Sequence, residues 1–571
     1  MKYFLSIPNP SSKYIEIEMH VENISSEKIY FHLPSWRPGR YELGNFAKNI
    51  QKWNVFDEKE NVLRFKKTTK DKWEVETNNI SKVIVRYNYF SSQLDAGGCW
   101  LDDTQLYVNP IQCFLYVEER KNESCEIELD IPADWKIAGA AEIKNEKKLI
   151  VKNYDDLVDT PFIASPNLKH HFYQSNGKNF HLWFQGECKP NYNQIENDFK
   201  KFTDAQIKMM GDFPSEGYHF LIQVLPYNFY HGVEHSTSTV LAIGPGIELM
   251  NEKIYPEFMG LASHELFHAW NVKAIRPAEM LPYDYSKENY SRLGYVYEGF
   301  TTYYGDLFLA RTGFFTLEKY LSEISIQLQK HIDNFGRFNY SVAQSSFDTW
   351  LDGYVPGVPG RKTSIYTEGS FIALMLDFII RKSTEGKKSL DDVMGKLYVD
   401  FAKKNIGYTE NDIQKIAEAV SNYSFTEFFA NYIYKPLSFD SLLEELLSYA
   451  GLEIRKNPST KSYERMFGFK AEHINGITKV NVIIPGSPAS FSGLSIDDEI
   501  ISVNGYKVEN NLNQLCSYFY KDEITLNVFS FKKLEEVKLK TTAHSFFEQY
   551  QIVEMVNKSA DQSNFLQSWC G

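Results

Sequence analysis

The chain has 571 residues, carries a net charge of −13, and is 43% apolar and 15% aromatic. That length exceeds what one core fills, so about three domains are expected. The acidic balance argues against nucleic acid as a partner, and no apolar run or basic amphipathic segment suggests a membrane.

Residues 1 to about 165 read as β. Tyr14-Ile-Glu-Ile-Glu-Met-His-Val alternates with period two, as do Lys82-Val-Ile-Val-Arg-Tyr and Cys125-Glu-Ile-Glu-Leu-Asp-Ile. A β-sandwich-like domain is expected there. The first residues form too short an apolar run for a secretory signal. The six cysteines are scattered, which fits a reduced cytoplasmic protein better than a disulfide framework.

From 166 to 455 short strands (His181 onward, then Tyr218 to Leu225) give way to helices. Pro256 is placed to begin one helix. Arg292 to Arg311 is apolar at helical spacing, with Gly313 at the expected stop. Ser389, Thr409 and Ser441 are followed three residues later by acids, as N-terminal caps require. Gly353-Tyr-Val-Pro-Gly-Val-Pro-Gly360 is a loop whose place before Tyr366 suggests an active-site rim. Residues 460–545 return to β, with an apolar helix from Leu512 to Tyr520. Residues 546–571 show no pattern and are expected to be a tail.

The chemistry concentrates at His264-Glu-Leu-Phe-His268. Two histidines four apart share one helix face, so both imidazoles can reach one metal ion. Thirteen histidines in the chain predict roughly 0.3 such pairs, and roughly 0.04 with an acid in second place. Glu265 is placed to hold a water molecule against the metal and act as general base. A catalytic zinc site takes three protein ligands and leaves one position open. Glu298, on the apolar helix and with 29 residues between it and His268, is the candidate for the third, since a buried carboxylate needs a cationic partner.

His264-Glu-Leu-Phe-His-Ala-Trp-Asn-Val-Lys-Ala-Ile-Arg-Pro277 followed by Tyr297-Glu-Gly-Phe-Thr-Thr-Tyr-Tyr304 resembles the glycyl aminopeptidase family of zinc metallopeptidases. Leu33-Pro-Ser-Trp-Arg-Pro-Gly-Arg-Tyr41 looks like that family's N-terminal domain. Ile484-Pro-Gly-Ser-Pro-Ala489 with Val503-Asn-Gly505 looks like its C-terminal PDZ domain. The resemblance implies a multidomain α+β chain. An N-terminal β-sandwich-like domain (1–165) precedes a mainly helical thermolysin-like catalytic domain (166–455), a PDZ domain (460–545) and the tail (546–571).

It also implies roles. One zinc ion per chain sits on His264, His268 and Glu298. Tyr366, in a segment similar to the family's Tyr-x-Lys-Gly, donates a hydrogen bond to the oxyanion; Glu368 stands in the lysine place, and Tyr303 and Tyr304 are alternative donors. Glu234 anchors the substrate amine, with Gly232 and Val233 on the same substrate-binding edge strand; His231 replaces a glycine of the family pattern. Apart from the resemblance, Thr302, four residues after Glu298 on the same helix face, either orients a ligand or packs in the core, and Arg276, which matches a family residue without an assigned role, pairs with Glu298, a substrate carboxylate or, in preference, a structural acid. The substrates are peptides with small N-terminal residues such as Gly or Ala. The PDZ domain takes a peptide or packs within the chain. Two other readings remain: an endopeptidase with the same zinc chemistry, and a peptide-binding scaffold with a vestigial catalytic domain.

Overall fold

Alternation near the N-terminus becomes sheet. In the computed structural model, which describes residues 1–355, 357–521 and 523–571, Tyr14–Glu22 pairs antiparallel with both Lys2–Ser6 and Lys82–Phe90. Ile15, Ile17, Met19 and Val21 are buried, and the residues between them are not. Cys125–Asp130, Lys148–Val151 and Glu142–Lys144 extend the sheet beyond Lys2–Ser6, and Trp53–Asp57 borders Lys82–Phe90. Two smaller sheets complete a β-rich N-terminal domain.

The chain divides into two units. The first holds Met1–Tyr320, Phe335–Leu446 and Ala560–Gly571; the second holds Leu321–Asn334 and Leu447–Ser559. Within the first unit, the central region opens with a five-stranded mixed sheet in the order Lys169–Ser175, Lys178–Gln185, Gly217–Val224, Ser238–Gly244, Phe229–Glu234. Phe229–Glu234 is therefore an edge strand. The helices Tyr192–Met210 and Ile254–Phe267 pack on this sheet: the Phe199 ring meets Phe220 edge-on at 5.0 Å and Phe258 at 5.4 Å. The apolar helix Ile365–Ser383 is almost wholly buried. Among the described residues, no helix is long and apolar enough to cross a membrane, and the six cysteines are free thiols.

The capping expectations meet two outcomes. Ser389 with Asp392 and Thr409 with Asp412 form capping boxes. The third helix instead begins at Asp440, so Ser441 lies inside its first turn; the Ser438 hydroxyl accepts the Asp440 N–H at 3.2 Å. Of the Gly- and Pro-rich loop, Pro356 lies outside the described residues.

The second unit is built on the antiparallel strands Phe469–Ile474, Ile477–Ile483, Glu499–Val503, Glu523–Ser530 and Lys533–Lys540. Phe467, Phe469, Val503, Cys516, Ile524 and Leu526 form its core, with Cys516 contributed by the helix Leu512–Phe519. Leu452–Asn457, expected at the end of the central domain, pairs here with Gln549–Glu554. The stretch 546–571 is accordingly not a featureless tail. Its final helix, Ala560–Cys570, belongs to the first unit. Trp569 is fully buried, and its indole N–H donates to the Tyr303 hydroxyl at 2.8 Å. Arg381 and Arg311 donate to the carbonyls of Ser568 and Trp569, each at 3.0 Å. Phe565, Leu566 and Trp569 make one apolar face, a three-residue signal that is short against the polar residues around it.

Candidate metal centre

The helix carrying the two histidines starts two residues before Pro256, because the Asn251 side chain accepts the Ile254 N–H at 2.6 Å. After His268 the backbone widens into a π-helical stretch, Ala269–Ala274, broken at Asn271 (φ −112°, ψ 81°). The break brings the Asn271 carbonyl to His268 Nδ1 at 2.7 Å. Nδ1 then carries the proton, and the Nε2 lone pair is free for a metal. The Asn271 amide donates to the Val296 carbonyl at 2.9 Å and to Thr301 Oγ1 at 3.1 Å. These bonds clamp the histidine helix to a second π-helical stretch, Tyr295–Phe300, which carries Glu298 and continues as Thr301–Arg311. Such widened turns recur at functional sites, because one extra residue per turn re-aims the side chains.

His264, His268 and Glu298 converge. The two Nε2 atoms lie 3.0 Å apart, and His268 Nε2 lies 3.5 Å from Glu298 Oε2. A tetrahedral ion with bonds near 2.0–2.1 Å has ligand–ligand edges of about 3.3 Å, so the donor set fits zinc in size and type. Its electrostatics ask for a cation. Burial alone would lower the His268 pKa, yet Glu298, Glu234 and Glu265 raise it to about 10. Burial lifts Glu298 above the usual carboxylate range, opposed by His268. Burial lifts Glu265 to about 8, with Glu234 and Glu298 adding to the shift. A bound metal ion would act in the opposite sense on these carboxylates.

Glu265 is 5% exposed, and its Oε2 has no hydrogen-bond partner. Gly232 on the edge strand lies so close that a Cβ there would overlap the Glu265 carboxylate. Gly232→Ala therefore displaces the general-base candidate. Turnover is expected to fall about ten- to a hundred-fold, because misplacing a reacting group by an ångström costs that much. The check is kcat on an alanyl reporter with the melting temperature held as control; unchanged kcat would refute the link. Glu234 is 4% exposed with its Oε1 unpartnered, and Gly39 of the N-terminal domain packs directly on its carboxylate. Val233 points instead into the core with Leu221 and Val240.

Tyr366 is the second residue of the Ile365–Ser383 helix. Burial raises its pKa well above the phenol range, with Glu298 and Tyr354 adding to the shift. Gly299 and Gly369 bring the helices of Glu298 and Tyr366 into backbone contact, since a Cβ on either would overlap the other's Cα. Tyr354, in the Gly- and Pro-rich loop, lies close enough to Tyr366 to add to its pKa shift and accepts the Tyr41 N–H at 3.2 Å. Sequence reasoning passed over Tyr354, although it sits in the segment read as a rim.

Four side chains make contacts other than the catalytic ones weighed for them. Tyr303 donates to Asp377 at 2.6 Å and Tyr304 to Asp391 at 2.9 Å, so both hydroxyls are committed inside the helical core. Thr302 donates to the backbone carbonyl of Glu298 at 2.9 Å, a bond within its own helix, and not to the carboxylate. Arg276 makes no ion pair among the described residues; its guanidinium lies 4.2 Å from the Tyr283 ring.

The N-terminal domain is locked on by Asp159. Its carboxylate takes Lys273 Nζ at 2.7 Å, His235 Nδ1 at 3.1 Å and the Ser236 N–H at 2.9 Å. Burial alone would raise its pKa, but Lys273 and His235 hold it far below the usual range. A carboxylate depressed on folding stabilises above its unfolded pKa, about 4, and loses that contribution as pH falls further. Asp159→Asn is expected to lower the melting temperature at pH 7, with a smaller gap at pH 3; an equal gap at both would refute the charge argument.

Residues 2–166 match the Peptidase M61 N-terminal domain, and residues 257–372 match the M61 glycyl aminopeptidase family. No curated protein matches the chain. The fold is similar to the crystal structure of an aminopeptidase N family protein from Idiomarina loihiensis. Identity is 25% over 100% of both chains, with a TM-score of 0.91. An M1 zinc metallopeptidase mutant from Deinococcus radiodurans, bound to a Tyr-Ser-Ala substrate, is more distant. It has 12% identity over 76% of this chain and 94% of that one, at a TM-score of 0.48. The family matches and the ligand geometry together support a metallo-aminopeptidase.

Proposed function

Since the chain carries domains of the M61 glycyl aminopeptidase family, we propose that it is a zinc aminopeptidase. It removes small N-terminal residues, Gly or Ala, from peptides. The observation that carries this reading is one buried cluster. His264, His268 and Glu298 form its metal triad, and Glu265 and Glu234 share the same histidine. One zinc ion per chain is held by the triad, as in the thermolysin-like group. When bound, zinc acidifies water and polarises a carbonyl.

The chain's own residues do the rest. Glu265 Oε2, which no protein donor satisfies, takes the proton of the attacking water and returns it to the leaving amine. The Tyr366 hydroxyl donates to the carbonyl oxygen as it gains charge. Its raised pKa keeps the phenol protonated for that task. Glu234 Oε1, buried and unpartnered, takes the free α-ammonium of the substrate. The edge strand Phe229–Glu234 offers unpaired backbone groups to an extended peptide. Gly39 closes the space behind Glu234, which is consistent with a substrate ending there. For the second unit we keep the PDZ-like reading, with a peptide groove beside Leu512–Phe519.

Glu234 separates this reading from an endopeptidase. Aminoacyl reporters and N-acetylated peptides are assayed on wild type and Glu234→Ala. Cleavage of free-amine substrates is expected to fall about ten- to a hundred-fold, mainly through KM, as a buried charge-assisted contact is lost. Wild-type protein that cuts acetylated peptides equally well sinks the exopeptidase reading.

A further inference from the structure

Beside Glu234, at its chain neighbours His235 and Ser236, lies a cavity of about 330 Å³, bounded by the N-terminal domain on one side and the residues following His268 on the other. Arg37, Arg276, Lys273, His235 and Tyr283 line it. Its charge is unevenly paired. Lys273 and His235 are spent on Asp159. Asp155 accepts the Tyr285 hydroxyl at 2.8 Å, and burial lifts Asp156 above the usual carboxylate range. The two guanidinium groups remain without a carboxylate.

Arg37 is only 6% exposed, makes no ion pair among the described residues, and donates one hydrogen bond, to the Pro38 carbonyl at 3.2 Å. Arg276 donates to the Lys273 carbonyl at 3.1 Å, and its buried Nε has no partner. Two further buried polar atoms, His235 Nε2 and the Tyr283 hydroxyl, are also unpartnered. A buried guanidinium without a counter-charge is costly, and its planar fork matches a carboxylate. Unpartnered donors around a cavity form a site whose ligand is anionic.

We propose that this cavity binds a small carboxylate between Arg37 and Arg276. The carboxylate has two sources. It is either the side chain of an acidic first residue whose amine sits on Glu234, or a separate small acid that occupies the cavity beside the peptide site. Glu234, His235 and Ser236 are consecutive, and Gly39 touches Glu234 while Pro38 and Arg37 line the cavity. The cavity and the amine anchor are thus adjacent on both walls.

The test titrates acetate and succinate calorimetrically into wild type, Arg37→Gln and Arg276→Gln, with melting temperature read in parallel and chloride at matched ionic strength as control. The expected result is carboxylate binding by wild type that weakens about ten-fold in each variant, with no response to chloride. If one variant fails to fold, the other still decides. Absence of binding by wild type, or equal affinity in all three proteins, overturns the proposal. A second arm follows aspartyl and alanyl reporters with and without succinate. Inhibition confined to the aspartyl reporter assigns the site to the substrate side chain. Inhibition of both, or of neither despite calorimetric binding, assigns it to a separate acid. Wild type that binds succinate but hydrolyses no reporter keeps the carboxylate site and refutes only the aminopeptidase reading.

Discussion

Glu265→Gln is expected to lower turnover of an alanyl reporter by about 10²–10⁴-fold, the usual contribution of a positioned general base. The substitution preserves shape and removes only the ability to take a proton. Its surroundings make that loss specific. The carboxylate is buried, crowded by Gly232, and has no protein donor on Oε2. A neutral amide fits the same space without disturbing His264 or His268 on the same helix. Zinc content and melting temperature should therefore match wild type. The measurement is kcat alongside elemental analysis of the purified variant. Turnover within about five-fold of wild type at full zinc occupancy would remove Glu265 from its assigned role.

Removing the metal is expected to abolish turnover and to destabilise the first unit. Without a cation, the carboxylates of Glu234, Glu265 and Glu298 surround His268 and draw a proton onto it. A ligand that binds only the folded state stabilises it in proportion to the logarithm of its concentration over Kd. Chelation should therefore lower the melting temperature by about 5 °C or more. His268→Ala should do the same without a chelator, since it removes the ligand that lies within 3.5 Å of both others. Re-added zinc should restore the chelated wild type and not the variant. A chelated protein that keeps its activity would sink the metal reading, and with it the choice against a peptide-binding scaffold.

The sequence carried the local half of the site. His264, Glu265 and His268 lie within one helical turn, so their spacing alone fixes their common face. Glu298 was legible because an apolar helix rarely buries a carboxylate without cause. The remote half follows from packing between segments far apart in the chain. Gly39 reaches Glu234 and Tyr41 reaches Tyr354 only because the Leu33 to Tyr41 segment docks on the central region. There the Trp36 indole N–H donates to the Asp284 carbonyl at 2.7 Å. The widened turns after His268 and around Glu298 were equally hidden, since they break the 3.6-residue period on which such reading depends. Expectations for Tyr303, Tyr304 and Thr302 failed for a related reason. A hydroxyl's partner is set by what packs against it, here Asp377, Asp391 and a carbonyl of its own helix.

The final helix has a bearing on how the enzyme comes into being. Trp569 props Tyr303, five residues beyond Glu298, and the whole second unit lies between them in sequence. A growing chain emerges from the ribosome N-terminus first. The segment with Glu298 would then be exposed long before its buttress is synthesised. The Tyr303 hydroxyl would gain its Trp569 donor only after the second unit has been synthesised. Trp569→Ala would thus act on the segment that carries Glu298 through Tyr303, with no contact to the metal ligands themselves.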